Sequence, residues 1–280
     1  MFLKQIKQVI VRSAVQHCIE KQVFAAFAVR RSKPKQHSHI RKFYELNSNK
    51  SLFLFDIDGT LISPGKTARG LFVEIIAELT GKKISLEFQH VAGFTDPLIL
   101  KDMLQRAGIE GTEIDDAIDK FFPIYYERLE QRYTAATDKK IFDEVGNLLT
   151  ELSEENNIYL GLVTGNMKRS AMIKLSPFSI ERFFAVGAYA SDDSERDKLP
   201  PIAVDRAERI WNVKFQNESV FVVGDTIHDI RCALVNNYRA IGIARRDGDK
   251  EKNVLKSAGA DWVFDALPSS SEFMTIANLN

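Results

Sequence analysis

The chain predicts an α/β fold: a parallel sheet covered by helices, with an all-helical domain inserted near its start. Three observations carry this reading. From residue 51 onward short apolar runs alternate with helical patterns, the rhythm that produces parallel strands joined by right-handed crossovers. The runs LFLF and VFVV are continuously apolar, as strands buried on both faces are. The rhythm breaks once, between residues 65 and 156, where only helical patterns occur.

Residues 1–48 read as a separate extension. Apolar positions such as Ile6, Val9, Ile10 and Phe27 are loosely helical in spacing, and the segment closes on RRSKPKQHSH. Residues 1–50 hold eleven Lys/Arg and two acids, net +9, which leaves net −9 for 51–280 although the whole chain is neutral. Such a segment suits an organellar transit peptide, a basic surface-binding helix, or an appendage that never packs.

The catalytic core is expected from residues 49–64 and 157–280, and the helical cap from 65–156. Strands are expected at Leu52–Phe55, Ile158–Val163, Phe184–Tyr189, Val220–Val223, Ala240–Ala244 and Trp262–Phe264. In the insertion, one helix runs over Thr67–Thr80 and stops at Gly81. A second starts at Asp96, with Pro97 in its first turn, and ends at Gly108. A third spans Glu113–Ala135 with a kink at Pro123. A fourth spans Phe142–Asn156.

Composition narrows the class. With 280 residues, 45% hydrophobic and 27% charged, the chain has room for one large or two moderate globular domains. No apolar run approaches the ~18 residues of a membrane span. Two cysteines, Cys18 and Cys232, make no disulfide framework, so a reducing, cytoplasmic setting is expected, or an organelle if residues 1–48 are a transit peptide.

Four groups of chemically useful residues fall at strand ends. Asp56 and Asp58 follow the first strand, in DIDGT. Thr164 closes the strand of LVTGN, and Gly165 and Asn166 open the next helix, whose N–H groups suit an anion. Lys198 stands in RDKLPP. Asp225 and Asp229 follow VFVVG and share one edge. Uncompensated acids at a sheet edge are costly, so two strands ending in aspartate imply a purpose. Asp56, Asp58 and Asp225 offer the hard oxygen ligands that suit Mg²⁺. An ionised aspartate can attack a phosphate without a partner base, given counter-charges. Without them, two unit charges ~4 Å apart repel by about 4 kcal/mol at an effective dielectric of ~20.

In this order DIDGT, LVTGN, the lysine before the prolines and GDTIHD resemble the four motifs of the haloacid dehalogenase (HAD) superfamily. The resemblance covers residues 51–268. It implies a Rossmann-like core with a C1-type helical cap, as in the phosphoglycolate phosphatase and β-phosphoglucomutase-like branch. It assigns Asp56 as the nucleophile, Asp58 as the general acid and base, and Thr164 and Lys198 as holders of phosphoryl oxygens. It implies a metal held by Asp56, by the backbone carbonyl of Asp58 and by Asp225, with Asp229 in support. Dehalogenases lack the second aspartate, so Asp58 favours phosphoryl transfer. The motif RDKLPP departs from the commoner KPxP and leaves Arg196 as the alternative to Lys198.

The cap is expected to choose the substrate, a small phosphorylated metabolite. Phe94, Thr95 and Asp96, in the turn AGFTDP, are candidate substrate contacts, although Asp96 also suits a helix cap and Phe94 a packing role. Lys66 and Arg69 read as a solvated helix face, with contact to an anionic substrate as the alternative. His228 reads as a helix-surface residue near the site. The expected function is a Mg²⁺-dependent phosphatase; a phosphomutase or nucleotidase on the same scaffold is the alternative. A non-catalytic module with a basic nucleic-acid- or membrane-binding arm is the rival of another class, and it has no use for Asp58. No obligate nucleic acid is expected. Substrate identity and oligomeric state are not readable.

Overall fold

In the computed structural model the described residues are 50–87 and 91–278. The expected extension, residues 1–48, lies outside them. Six strands form one parallel sheet: β1 (Ser51–Phe55), β4 (Ile158–Thr164), β5 (Val186–Tyr189), β6 (Val220–Gly224), β7 (Arg239–Ile243) and β8 (Trp262–Phe264). Their order is β5-β4-β1-β6-β7-β8. The chain builds outward from β1 to one edge, then returns to the other side of β1 and builds to the opposite edge. Such a reversal opens a crevice beyond the C-terminal ends of the central strands.

β1 is completely buried because it is sandwiched twice. Phe53 and Phe55 face one layer, with Leu160, Leu162, Phe221 and Val223. Leu52 and Leu54 face the other, with Val163, Val220 and Val222. The period-two alternation of a strand thus serves two apolar layers, which is why the sequence runs are continuous. Phe53 stacks on Phe221 at 4.6 Å and meets Phe273 edge-on at 5.0 Å.

The chain leaves the core through β2 (Ile62–Ser63) and re-enters through β3 (Lys140–Ile141), and these two pair antiparallel. Between them lie α1 (Thr67–Thr80), α2 (Asp96–Arg106) and α3 (Glu113–Tyr133). They share a separate core of Leu71, Phe72, Ile75, Leu100, Met103, Phe121, Tyr125 and Leu129. α3 continues through Pro123. Its missing N–H deprives one carbonyl of a partner, and Phe121, Phe122 and Tyr125 pack around the position.

Two expectations about the insertion change. The two-residue strand β3 was not foreseen, because so short a segment carries no periodicity. The fourth expected helix is α4 (Val145–Glu154). Its Leu148, Leu149 and Leu152 pack in the layer of Phe53 and Leu160, on the sheet and not among the cap helices. The helical insertion therefore closes before β3. The remaining helices are α5 (Lys168–Leu175), α6 (Leu199–Trp211), α7 (Ile227–Leu234), α8 (Asp249–Ser257) and α9 (Ser270–Ala277). No helix of the described residues is long and apolar enough to cross a membrane.

Candidate active site

The strand ends converge as the βαβ rhythm requires. The backbone N–H of Asp56 still donates to Val223 in β6, at 2.9 Å. Beyond it the chain turns sharply, the carbonyl of Ile57 accepting from Thr60, Leu61 and Ile62. Gly59 makes the turn possible at φ +90°, and a Cβ there would collide with the Asp225 carboxylate. The two aspartate-bearing loops are thus in contact because one of them carries no side chain at this point.

Asp56, Asp225 and Asp229 are all buried, and one carboxylate oxygen of each lies within 4.8 Å of the others. Arg196 enters this cluster, donating to Asp56 Oδ1 at 2.9 Å and to Asp229 Oδ1. The other oxygen of Asp229 is committed to the start of α7, where it accepts from the Thr226 N–H and hydroxyl in a capping box. Arg246 reaches Asp225 Oδ2 at 2.8 Å. Asp225 Oδ1 is buried without a hydrogen-bond partner.

Burial pushes the Asp56 carboxyl up to about 7; Arg196 opposes the shift, while Asp229 and Asp58 add to it. Burial, with Asp229 and Asp56 beside it, also raises Asp225 well above the carboxylate range. Four carboxylates, those of Asp56, Asp58, Asp225 and Asp229, therefore face three ammonium or guanidinium groups. These donor atoms, with the Asp225 Oδ1 and Asp58 Oδ1 oxygens buried and unsatisfied, fit a hard divalent cation. Asp56 and Asp225 would hold it, and Asp229, with both oxygens engaged, would steady them.

Asp58 stands apart from that cluster. Its Oδ2 accepts from Lys174 at 2.5 Å and from the Asn166 amide at 3.0 Å. Asn166 in turn donates to Thr164 Oγ1 at 2.8 Å and accepts from Lys174 at 2.6 Å. The side chain of Asp58 is thus held away from the acidic cluster; the ligand expected of it is its carbonyl. Thr164 is fully buried at the end of β4, and both it and Gly165 line the cavity.

Lys198 is a correction. It lies exposed and pairs with Asp193 and Glu195, outside the cavity that Arg196 lines. Both residues belong to one 3-10 turn, Arg196–Lys198; turning Arg196 inward points its neighbour two residues on outward. Thr95 is a second correction. It is completely buried, gives its hydroxyl to the Ser194 carbonyl at 2.7 Å and does not line the cavity, so it ties cap to core. Phe94 does line the cavity, with its ring on His228 at 4.7 Å.

One residue was missed, and another, Asp96, is engaged between cap and core. Lys174 is the cation that holds Asp58; its signal was a lone lysine in AMIKL, two turns after Asn166 on the face of Ser170. Asp96 accepts from the Met167 N–H at 2.9 Å and from the Ser170 hydroxyl, and its own N–H donates to the Gly165 carbonyl. It joins the cap to the helix that carries Lys174.

Residues 53–243 match the family model described as haloacid dehalogenase-like hydrolase. The chain belongs to that family. It is a hydrolase with an α/β core and a helical cap. It is 30% identical over 190 residues, 68% of this chain and 80% of the relative, to the curated protein named "Putative pyrophosphatase PpaX" from Caldanaerobacter subterraneus subsp. tengcongensis. Solved structures share the fold. A haloacid dehalogenase-like family hydrolase from Streptococcus pneumoniae has 19% identity and a TM-score of 0.57, covering 81% of this chain and 97% of its own. A structure titled as a predicted phosphoglycolate phosphatase from Haemophilus somnus has 17% identity and a TM-score of 0.59, covering 82% and 99%.

Proposed function

We propose that this hydrolase is a Mg²⁺-dependent phosphatase that cleaves a small phosphomonoester through a phosphoaspartate on Asp56. The observation that carries the reading is the separation of two neighbouring carboxylates into different surroundings. Asp56 lies with Arg196 and the acidic cluster. Asp58 lies with Lys174 and Asn166. One fold thereby supplies a nucleophile and an acid/base side by side.

In the first step an Asp56 oxygen attacks phosphorus and the ester bond breaks. Asp58 gives its proton to the departing alkoxide, so the alcohol leaves neutral. In the second step Asp58 takes a proton from water, which attacks the acyl phosphate and frees inorganic phosphate and the Asp56 carboxylate. Arg196 and the N–H groups around Thr164–Asn166 face the phosphoryl oxygens, where charge must be balanced. Arg196 takes the role first expected of Lys198. Mg²⁺, held by Asp56, Asp225 and the Asp58 carbonyl, would supply the further positive charge that the excess of carboxylates calls for.

Asp56→Asn should abolish phosphate release from p-nitrophenyl phosphate, and chelation should do the same reversibly. Turnover surviving in Asp56→Asn would overturn the assignment.

A further inference from the structure

We propose that Lys66 and Arg69 form a second anion subsite on the cap wall of the cavity, so that the preferred phosphomonoester carries a second negative group on its leaving alcohol. The proposal rests on the phosphatase reading and narrows its substrate class. The cavity holds about 580 Å³, within the range of small-molecule sites. Its floor is the carboxylate site, and its cap wall includes Arg69, Phe72, Ile99 and Tyr125, with Lys66 at the base of α1.

Charge matching separates Lys66, Arg69 and Lys140 from the other cations of the wall. Lys174 pairs with Asp58, Arg196 with Asp56 and Asp229, Arg245 with Glu144, and Arg246 with Asp225 and Glu251. Lys140, also in the wall, lies over the Phe142 ring. Among the described residues neither Lys66 nor Arg69 has a carboxylate at ion-pair distance. The acid beside them, Asp138, accepts the Lys66 backbone N–H at 2.8 Å.

The helix itself offers them no partner. Three and four residues from Arg69 stand Lys66, Gly65, Phe72 and Val73, none of them acidic. The acids of α1, Glu74 and Glu78, are engaged by Arg128 and Arg132 from α3. Lys66 and Arg69 are themselves a like-charge pair at i,i+3, a destabilising arrangement on a helix surface. They also stand at the start of α1, where the helix dipole disfavours positive charge. Two cations placed at a cost, unpaired, in the wall of the catalytic cavity, three and six residues before Phe72, have a use if an anion bridges them. A carboxylate or a second phosphate on the leaving group supplies that anion. The apolar wall of Phe72, Ile99 and Tyr125 then packs the carbon skeleton between the two charges.

Matched substrates test this. The full-length enzyme should turn over 3-phosphoglycerate at least about tenfold more efficiently than glycerol 3-phosphate, or fructose 1,6-bisphosphate more than fructose 6-phosphate. The first pair reads a carboxylate and the second a phosphate. In the Lys66→Gln/Arg69→Gln protein the preference should collapse, mainly through KM, while p-nitrophenyl phosphate is cleaved within about twofold of the original rate. The melting temperature should hold or rise, since a like-charge pair is removed. Equal losses on every substrate, or a wild-type preference for uncharged leaving groups, would overturn the subsite. Should no phosphomonoester be hydrolysed, the phosphatase reading fails separately. Calorimetry of 3-phosphoglycerate and fructose 1,6-bisphosphate on Asp56→Asn then decides the subsite: at least one must bind, and bind about tenfold more weakly without Lys66 and Arg69.

Discussion

Arg196 donates to Asp56 Oδ1 at 2.9 Å with both side chains more than nine-tenths buried, and its other nitrogen reaches the cap carbonyl of Gly93 at 3.3 Å. One guanidinium therefore neutralises the proposed nucleophile and touches the domain that covers it. Removing it leaves buried carboxylates unpaired, at a cost of about 3–5 kcal/mol in stability. Arg196→Ala should lower kcat on p-nitrophenyl phosphate by about a hundredfold or more. Arg196→Lys, which keeps the charge but not the fork, should fall between it and the wild type. Lys198→Ala should stay within about twofold, because an exposed pair with Glu195 and Asp193 contributes little. Parallel kinetics and melting curves of the three variants check the assignment.

Lys174 is a positioning residue, holding Asp58 by one hydrogen bond and Asn166 by another. Lys174→Met keeps length and apolar bulk while removing the charge. It should reduce kcat by about ten- to a hundredfold with KM little changed, as loss of an oriented acid/base does. Burst kinetics with an activated aryl phosphate would separate the two steps. Slower release of phosphate from the phosphoenzyme, with its formation less affected, marks loss of the base, since nitrophenolate leaves without help.

The sheet and its strand ends were legible because burial on both faces writes itself as uninterrupted apolar runs, and those runs stop at Asp56, Thr164 and Asp225. What was not legible depends on direction. Nothing in RDKLPP states which way its 3-10 turn points, so Lys198 and Arg196 could not be told apart. Lys174 lies ten residues past the β4 end that its site uses, and its link to Asp58 exists only once β1 and β4 pair. α4 carries an ordinary amphipathic pattern, and that pattern says what it hides but not on which core. The wall position of Arg69 stood only as the alternative to a solvated face for the same reason, since a charged helical position reads as solvated until a cavity is seen beside it.

The acidic cluster sets a pH dependence on the metal-free protein. The Asp56 carboxyl is raised from 3.8 to about 7, mainly by burial, and Asp225 is raised too. Below pH ~4 both folded and unfolded chains hold the Asp56 proton, so it contributes nothing. Between about 4 and 7 the folded chain keeps a proton that the unfolded chain has released, so stability falls as pH rises. The loss, on the order of 4 kcal/mol for three pH units, is complete above pH ~7. A bound cation competes with those protons. Thermal melts in chelator should therefore drop from pH 5.5 to pH 8, and the rise in melting temperature on adding Mg²⁺ should be larger at pH 8 than at pH 5.5. Asp56→Asn should flatten both trends; a metal-induced rise that is greatest at pH 5.5 would contradict the linkage.

Gly165 lies between Thr164 and Asn166, and a Cβ there would run into the Phe94 backbone carbonyl and crowd Arg196. Its own carbonyl accepts from the Asp96 N–H at 2.7 Å, so this is where the cap loop rests on the core. Its backbone needs no left-handed φ, so alanine adds no torsional strain and its effect is purely one of contact. Gly165→Ala should push the Ala92–Asp96 loop outward and carry Phe94 and the Arg196 contact with it. The protein should melt within a few degrees of wild type, because the two cores do not involve this loop. Its kcat/KM on p-nitrophenyl phosphate should fall by about tenfold or more, as a displacement near 1 Å at a reacting centre does. Because the obstacle is a backbone atom, no smaller residue at position 94 relieves it. The Gly165→Ala/Phe94→Ala double variant should therefore remain as slow as the single one, whereas recovery would place the obstruction in the Phe94 ring.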